Sequence, residues 1–230
     1  MLILPQMKIN FYEEKIFFDE IILIGGGREP NIKWFNQIKM DRDIICIDRG
    51  INFCRVNDIL PKILIGDFDS AEKKSFKWAV DKKIKIESHP VDKDFTDTQL
   101  ALEKISDDKF AIITGVFGGR SDHLFSTIFT CANAKIKNCL ADECEIILFL
   151  NGGENLSIEF LEKPLALSLL PMSEICRNVS VDGVHWNLNS ATLKQNYPNA
   201  ISNRVESKFI NISIGTGKLA IYFCFDEKFF

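Results

Sequence analysis

The sequence lacks any long apolar run. Its apolar stretches, such as Ile146 to Leu150, are far too short to cross a bilayer as a helix. The N-terminus has no basic leader and soon becomes acidic, so we expect no signal peptide. Basic residues are not in excess either, because the formal net charge is -4 and the lysines are scattered. We therefore expect neither a membrane nor a nucleic-acid partner.

The seven cysteines include no pair separated by two residues, which is the spacing of zinc knuckles and redox motifs. Cys46, Cys131 and Cys224 lie inside apolar runs, where a thiol behaves as a small hydrophobic group. We therefore expect reduced, structural cysteines and a cytoplasmic protein, since thiols are kept reduced in that compartment.

The first half of the chain alternates short, isoleucine-rich segments with helix-like ones. The predicted strands are Ile21–Ile24, Ile44–Ile47, Ile63–Ile65, Ile84–Glu87 and Ala111–Val116, and the predicted helices are Asn31–Met40, Ala71–Asp81, Asp97–Ile105 and Asp122–Lys137. Short apolar strands bounded by Gly, Asp or Pro are typical of a parallel sheet covered on both faces. Their alternation with helices predicts an α/β domain with a mainly parallel sheet.

The second half changes character near residue 150. Strand-like segments follow one another, and no long helical period is present. Asn151-Gly152-Gly153 and Gly215-Thr216-Gly217 are typical of hairpin turns. The pattern predicts a small antiparallel β-sandwich, so we divide the chain into an α/β domain at 1–150 and a sandwich domain at 151–230.

Polar clusters follow the predicted strands of the first half, at the sheet edge where α/β proteins bind ligands. The run Gly25-Gly26-Gly27 follows the first strand and could let backbone N–H groups approach a phosphate. A tight turn explains it equally well, because Pro30 interrupts the dinucleotide fingerprint. Asp48 follows the second strand.

Four aspartates point to a metal ion. Asp67 and Asp69 follow the third strand, and in an extended segment residues i and i+2 face the same side. Asp94 and Asp97 surround a predicted helix start, where Thr96 and Gln99 fit a capping box. Acids are also favoured at helix N-termini by the macrodipole, which explains one of them but hardly both pairs. Oxygen ligands without His or Cys suit Mg²⁺.

The segment GGRSDH follows the last strand of the first half. Arg120 has a planar fork suited to phosphate oxygens. Ser121 is the expected N-cap of the next helix, which Asp122 and His123 begin. A structural role for His123 remains open. Acids, glycines and one arginine on a single edge indicate a metal–nucleotide site for phosphoryl-type transfer.

Three of these segments, IGDFDS, KDFTDTQLAL and GVFGGRSDH, resemble in order and separation the motif set of thiamine pyrophosphokinases. IDRG is similar to the Asp-Gly-Gly loop of that family, with Arg49 where a small residue is usual, and HWNLNSATL and AISNRV resemble its thiamine-side segments. The first twenty residues match nothing comparable. The resemblance implies an α/β catalytic domain followed by a β-sandwich, in a homodimer that converts ATP and thiamine into thiamine diphosphate and AMP.

The resemblance also implies roles for individual residues. Asp67, Asp69 and Asp97 would bind Mg²⁺; Lys93, Asp94 and Arg120 would surround the phosphates, together with Gly26, Gly27 and His123; Asp48 and Asp122 would orient the substrate or accept its proton. The sequence does not separate those last two roles.

By the same resemblance, Trp186, Ser202 and Asn203 would lie at the thiamine pocket, which in the family is formed between subunits. A core tryptophan and an ordinary Ser-Asn turn are the alternatives for these residues. Two alternatives also stay open for the function: a pyrophosphokinase for another hydroxymethyl heterocycle, such as a pterin, and a regulatory module that binds nucleotide without turnover.

Overall fold

The computed structural model describes residues 1–12, 19–90, 92 and 94–226. Its strands are β1 (Leu2–Leu4), β2 (Met7–Phe11), β3 (Asp19–Ile24), β4 (Asp43–Ile47), β5 (Ile63–Gly66), β6 (Lys85–Ser88), β7 (Lys109–Thr114), β8 (Lys137–Ala141), β9 (Glu145–Asn151), β10 (Asn155–Phe160), β11 (Ala166–Pro171), β12 (Ile175–Val181), β13 (Leu188–Lys194), β14 (Phe209–Ser213) and β15 (Lys218–Cys224). Its helices are α1 (Ile32–Lys39), α2 (Ile51–Val56), α3 (Lys73–Asp81), α4 (Asp97–Glu103) and α5 (Ser121–Asn133), and Asp48–Gly50 form one turn of 3-10 helix. Within these described residues, none of the helices has the length and apolar character needed to span a membrane.

The chain divides into two compact units, and Asp19–Asp142 form the first. Six parallel strands build its sheet, in the order β8-β7-β3-β4-β5-β6. Ile22, Leu23 and Ile24 in β3 are all fully buried, and since successive side chains of a strand face opposite sides, the sheet is covered on both faces. From β3 the chain adds β4, β5 and β6 one after another towards one edge of the sheet. It then returns and adds β7 and β8 on the other side of β3. The loops after β3 and β7 therefore flank a topological switch point.

The predicted α/β class and the mainly parallel sheet are confirmed. The helix predicted to run from Asp122 to Lys137 is wrong at its end, because α5 stops at Asn133 and Lys137 begins β8. The Asn138 side chain donates at 3.0 Å to the carbonyl of Cys131, in the last turn of α5, and at 3.1 Å to that of Ile136, in the connection to β8. Helix α2 was not predicted, since six residues are too few to show a helical period.

The second unit contains two antiparallel sheets, ordered β1-β2-β10-β14-β12-β13 and β11-β15-β9. Buried and partly exposed residues alternate along β10, as expected for a strand with one face in a core. The rings of Phe160 in β10 and Phe223 in β15 lie 5.6 Å apart between centroids in a T-shaped contact. The two sheets therefore pack face to face, and the predicted β-sandwich is confirmed.

The residues that form this second unit are not the ones that the predicted division at residue 150 assigned to it. It combines β1 and β2 with the chain from Glu143 onward. Strand β2 pairs with β10, placing Ile9 opposite Ile158, and the buried side chain of Gln6 donates to the Glu143 carbonyl at 3.1 Å. Hydrogen-bond partners so distant in sequence leave no local pattern, so the first residues were assigned to the α/β domain.

Neither glycine-rich turn closes a hairpin, so that prediction is wrong. The turn at Gly152 connects β9 to β10 and the turn at Gly215 connects β14 to β15, and each carries the chain from one sheet to the other. The turns contact each other, because the Gly153 N–H donates to the Ile214 carbonyl at 2.9 Å. A Cβ on Gly152 would lie 3.0 Å from the Thr216 Cα, so close packing rather than strand reversal requires this glycine.

Candidate active site

An acidic cluster lies at the carboxyl ends of β4 and β5. Asp48 directly follows β4, and Asp67 and Asp69 follow β5. One carboxylate oxygen from each lies within 4.8 Å of the other two. Gly66 permits this approach, because a Cβ there would lie 3.1 Å from the Cα and Cβ of Asp48 and its φ is 151°. Sequence reasoning placed Asp67 and Asp69 together but gave Asp48 a different role, since the contact across strands is not visible in sequence.

A tight turn aims Asp67 and Asp69 at the same spot. The Asp69 N–H donates to Asp67 Oδ1 at 3.1 Å, and the intervening Phe68 has a left-handed φ of 65°. The Phe68 ring packs against that of Phe76 in α3, with centroids 5.2 Å apart. The two carboxylates are thus brought together by a turn whose central residue is anchored to a helix, and not by the extended segment that the sequence argument assumed.

The electrostatics of the cluster favour a cation. Ser70 Oγ donates to Asp48 Oδ2 at 2.5 Å, whereas Asp48 Oδ1 is buried and has no hydrogen-bond partner among the described residues. The carboxylate of Asp67 raises the pKa of Asp69 most, and Asp48 raises it further. Like charges and a buried unpaired oxygen are costly without a positive partner. An all-oxygen donor set of this kind fits Mg²⁺.

The segment before α4 contributes Asp97 to the surroundings of this edge. The capping box of Thr96 and Gln99 is present, and the helix begins at Asp97 as predicted. Helix α4 packs against β4 and β5, the strands that carry the acidic cluster. Asp97 is partly buried, but its carboxylate is not among the three grouped oxygens; Asp94 is exposed. The prediction for Lys93 lies outside the described residues.

Arg120 and Asp122 form a two-point ion pair at the start of α5. Arg120 Nε and Nη2 donate to the two oxygens of Asp122 at 3.1 and 2.6 Å. The hydrogen bonds from Arg120 lower the pKa of Asp122 to about 2, and those to Asp122 raise the pKa of Arg120. The helix begins at Ser121 with Arg120 as its N-cap, so the Ser121 cap was predicted one residue too late. His123 is exposed in the first turn.

The glycine run after β3 packs against the loop after β7. The N–H groups of Gly25 and Gly27 donate to the carbonyls of Thr114 and Gly115 at 2.8 and 2.6 Å. A Cβ on Gly26 would lie 2.8 Å from the Arg49 Cβ. In this structure the Gly27 amide is therefore engaged within the protein, and close contact between loops accounts for these glycines; a phosphate contact at Gly26 or Gly27 stays a prediction.

An ion pair that sequence reasoning missed fixes the same loop. Arg28 Nε and Nη2 donate to Oδ2 of the fully buried Asp142 at 3.0 and 2.6 Å, and the guanidinium lies 5.9 Å from the centre of the Phe117 ring. Asp142 directly follows β8. The available signal was an aspartate at the end of an apolar strand, which needs a cationic partner if it is buried.

In the sandwich unit, Trp186 is 57% exposed, which excludes the core position that sequence left open. Asn203 is buried and holds the segment of Trp186: its Oδ1 accepts from the Trp186 N–H at 3.1 Å, and its Nδ2 donates to the Trp186 carbonyl at 2.9 Å. The Arg204 guanidinium lies 6.0 Å from the Trp186 ring centre. Ser202 is exposed with a φ of 56°. The structure thus presents Trp186 and Ser202 at the surface and gives Asn203 a positioning role.

Fold and site together define a class: an α/β unit with an acidic, metal-suited sheet edge, in one chain with an antiparallel β-sandwich. Comparison with known families then identifies the class more closely. The family model for the thiamin pyrophosphokinase catalytic domain matches residues 36–142, and that for the thiamin pyrophosphokinase vitamin B1 binding domain matches residues 157–219. The chain therefore belongs to the thiamin pyrophosphokinase family of enzymes.

Individual relatives agree with this membership. The thiamine pyrophosphokinase of Bacillus subtilis is 28% identical over 166 residues, which cover 70% of this chain and 77% of that protein. Thiamine pyrophosphokinase 1 of Oryza sativa subsp. japonica is 26% identical over 167 residues, 66% of this chain and 62% of that protein.

Solved structures share the fold. The crystal structure of the Bacillus subtilis thiamine pyrophosphokinase gives a TM-score of 0.77 at 24% identity, covering 90% of this chain and 99% of that chain. The yeast thiamin pyrophosphokinase gives a TM-score of 0.72 at 17% identity, covering 92% and 87%. The fold is therefore retained at sequence identities where few side chains are shared.

Proposed function

We propose that the protein transfers a pyrophosphoryl group from ATP to the hydroxyl of thiamine, giving thiamine diphosphate and AMP. The thiamine oxygen bonds to the β-phosphorus while the bond between that phosphorus and the α,β-bridging oxygen breaks, and AMP leaves. The hydroxyl proton passes to an acceptor. The observation that carries the proposal is the cluster of Asp48, Asp67 and Asp69, whose like charges and buried unpaired oxygen suit a metal-bound polyphosphate.

Asp48, Asp67 and Asp69 would hold Mg²⁺, which supplies charge neutralisation on the triphosphate when bound. Asp97 stays a candidate ligand beside this cluster, on the helix that packs against β4 and β5. Asp94, Lys93 and Arg120 remain the candidates for the phosphates. Asp122 is a weak proton acceptor because its pKa is about 2. We therefore assign it to orienting the Arg120 fork, which leaves Asp48 as the candidate for contact with the reacting hydroxyl.

On the thiamine side, the exposed face of Trp186 would contact the cationic thiazolium, an interaction worth on the order of 0.5–2 kcal/mol. The Ser202 hydroxyl would donate to the flat pyrimidine, and Asn203 would position both segments through its hydrogen bonds. We further propose a homodimer with the thiamine pocket between subunits, and a cytoplasmic location, in which the seven free thiols would stay reduced.

The test is to incubate the protein with ATP, Mg²⁺ and thiamine, and to quantify AMP and thiamine diphosphate by chromatography. We expect equal amounts of both products and no AMP without thiamine. Asp69→Asn should retain less than about a tenth of the rate, since it removes a metal-binding charge. Asp41→Asn, which changes an exposed aspartate elsewhere, is the matched control. Turnover with a hydroxymethylpterin but not with thiamine would overturn the acceptor assignment, and ATP binding without AMP would overturn catalysis.

A further inference from the structure

His89 lies at the same sheet edge as the acidic cluster, although no motif includes it. It directly follows β6, the strand next to β5. Its backbone N–H donates to the Gly66 carbonyl at 3.0 Å. Gly66 precedes Asp67 and lies against Asp48 on its other side, where its hypothetical Cβ would be 3.1 Å from the Asp48 Cβ. Asp48 and His89 therefore flank Gly66 from the strands on either side of β5.

The imidazole of His89 has a ring nitrogen without a partner. Nε2 is buried and makes no hydrogen bond within the part of the chain that the structure describes, whereas the residue as a whole is only half-buried. Such a nitrogen loses its bonds to water without replacement, which costs free energy. Because His89 follows an edge strand and is only partly buried, a ligand that brings an acceptor to Nε2 would relieve this cost.

Two unsatisfied polar atoms thus lie on either side of Gly66. Asp48 Oδ1 is an acceptor suited to a cation, and His89 Nε2 can donate when it carries the ring proton. Since neighbouring strands are about 4.8 Å apart, the two residues are separated by about 10 Å along the edge. A metal-bound polyphosphate can span such a distance, offering its cation at one end and its anionic oxygens at the other.

We propose that His89 binds the nucleotide, with Nε2–H donating to a β- or γ-phosphate oxygen of the polyphosphate held at the acidic cluster. The inference rests on the proposed function and adds to it a phosphate contact from β6. Arg120, the other candidate donor described at this edge, has two of its N–H groups engaged by Asp122. A donor one strand beyond the aspartates would fix the direction of the phosphate chain along the edge.

The experiment measures the dissociation constants of α,β-methylene-ATP and of AMP, with Mg²⁺, by calorimetry for the wild type and three variants. His89→Ala should weaken binding of the ATP analogue about tenfold, the effect of one hydrogen bond to a charged group, and leave AMP binding unchanged. His89→Gln, whose amide nitrogen reaches a similar position, should recover most of this loss. Ser88→Ala, on the same strand, is the control and should bind both ligands normally.

The outcomes separate the two proposals. A wild-type protein that fails to bind the ATP analogue would overturn the proposed function, and this inference with it. Normal analogue binding by both the wild type and His89→Ala would overturn the role of His89 alone. If His89→Ala weakens the binding of the ATP analogue and of AMP equally, the contact lies on the nucleoside monophosphate portion, and the assignment to a β- or γ-phosphate oxygen is refuted. A lower melting temperature with unchanged dissociation constants would show that His89 is structural.

Discussion

Replacing Asp48 by Asn should stabilise the metal-free protein while removing its response to Mg²⁺. Asparagine keeps an oxygen that can accept from Ser70 and tolerates the positive φ of 47° at this position. What changes is the charge, which lies within 4.8 Å of the Asp67 and Asp69 carboxylates. The variant therefore isolates the electrostatic cost of three neighbouring carboxylates in the metal-free protein.

The magnitude follows from the distance between Asp48 and Asp67. Two unit charges 4.8 Å apart repel by about 0.9 kcal/mol at a dielectric constant of 80 and by about 3.5 kcal/mol at 20. Both residues are partly buried, so after solvent screening we take about 1 kcal/mol. For a chain of this size that corresponds to a rise in melting temperature of about 2–4 °C.

The assay is thermal unfolding in EDTA and in saturating MgCl₂. Binding to the native state at a hundred times the dissociation constant stabilises it by about 2.7 kcal/mol, so the wild type should respond clearly to the metal. Asp48→Asn should melt higher in EDTA, gain little from MgCl₂ and lose activity, whereas Asp41→Asn should behave as the wild type. A lower melting temperature in EDTA, or an undiminished response to MgCl₂, would refute the reasoning.

Further predictions concern the pair at α5 and the thiamine side. Arg120→Lys should lower kcat/KM for ATP at least about tenfold although the charge is conserved, because a lysine cannot bind two phosphate oxygens at once as the arginine fork can. Full activity of this variant would remove Arg120 from the site. In a carbon-detected NMR titration, Asp122 should ionise near pH 2 in the wild type and at a higher pH in Arg120→Ala. Because Arg120 lowers the folded-state pKa of Asp122, stability from this pair is present above the unfolded pKa and lost as the pH falls towards 2. Trp186→Ala should raise the KM for thiamine several-fold with little change in melting temperature, since the side chain is exposed. Asn203→Ala should instead lower the free energy of unfolding by about 1 kcal/mol, because it removes two partly buried hydrogen bonds to the backbone of Trp186. A large loss of stability in Trp186→Ala would contradict the pocket assignment.

Much of the α/β unit could be predicted because its signals are local. Apolar strands covered on both faces form continuous runs such as Ile63–Ile65, and the capping box of Thr96 and Gln99 marks the start of α4 to the residue. Errors arose where the deciding contact is distant in sequence. Strand β2 joins β10 across most of the chain, and Asp48 meets Asp67 and Asp69 only across neighbouring strands.

The sequence by itself determined the order of elements and the chemistry at the strand ends. Asp67, Asp69 and Arg120 each follow a predicted parallel strand, and a parallel sheet brings such ends to one edge. Only the tertiary structure decided which of these groups meet. Asp48 joins the acidic cluster beside Gly66, and the backbone of His89 bonds the same glycine from the end of β6. The ion pair between Arg28 and the buried Asp142 is likewise a contact between residues far apart in sequence. Strands pair through backbone hydrogen bonds, which every residue type other than proline can make. The sequence therefore does not show which strand ends become neighbours, and these contacts exist only once the sheet has formed.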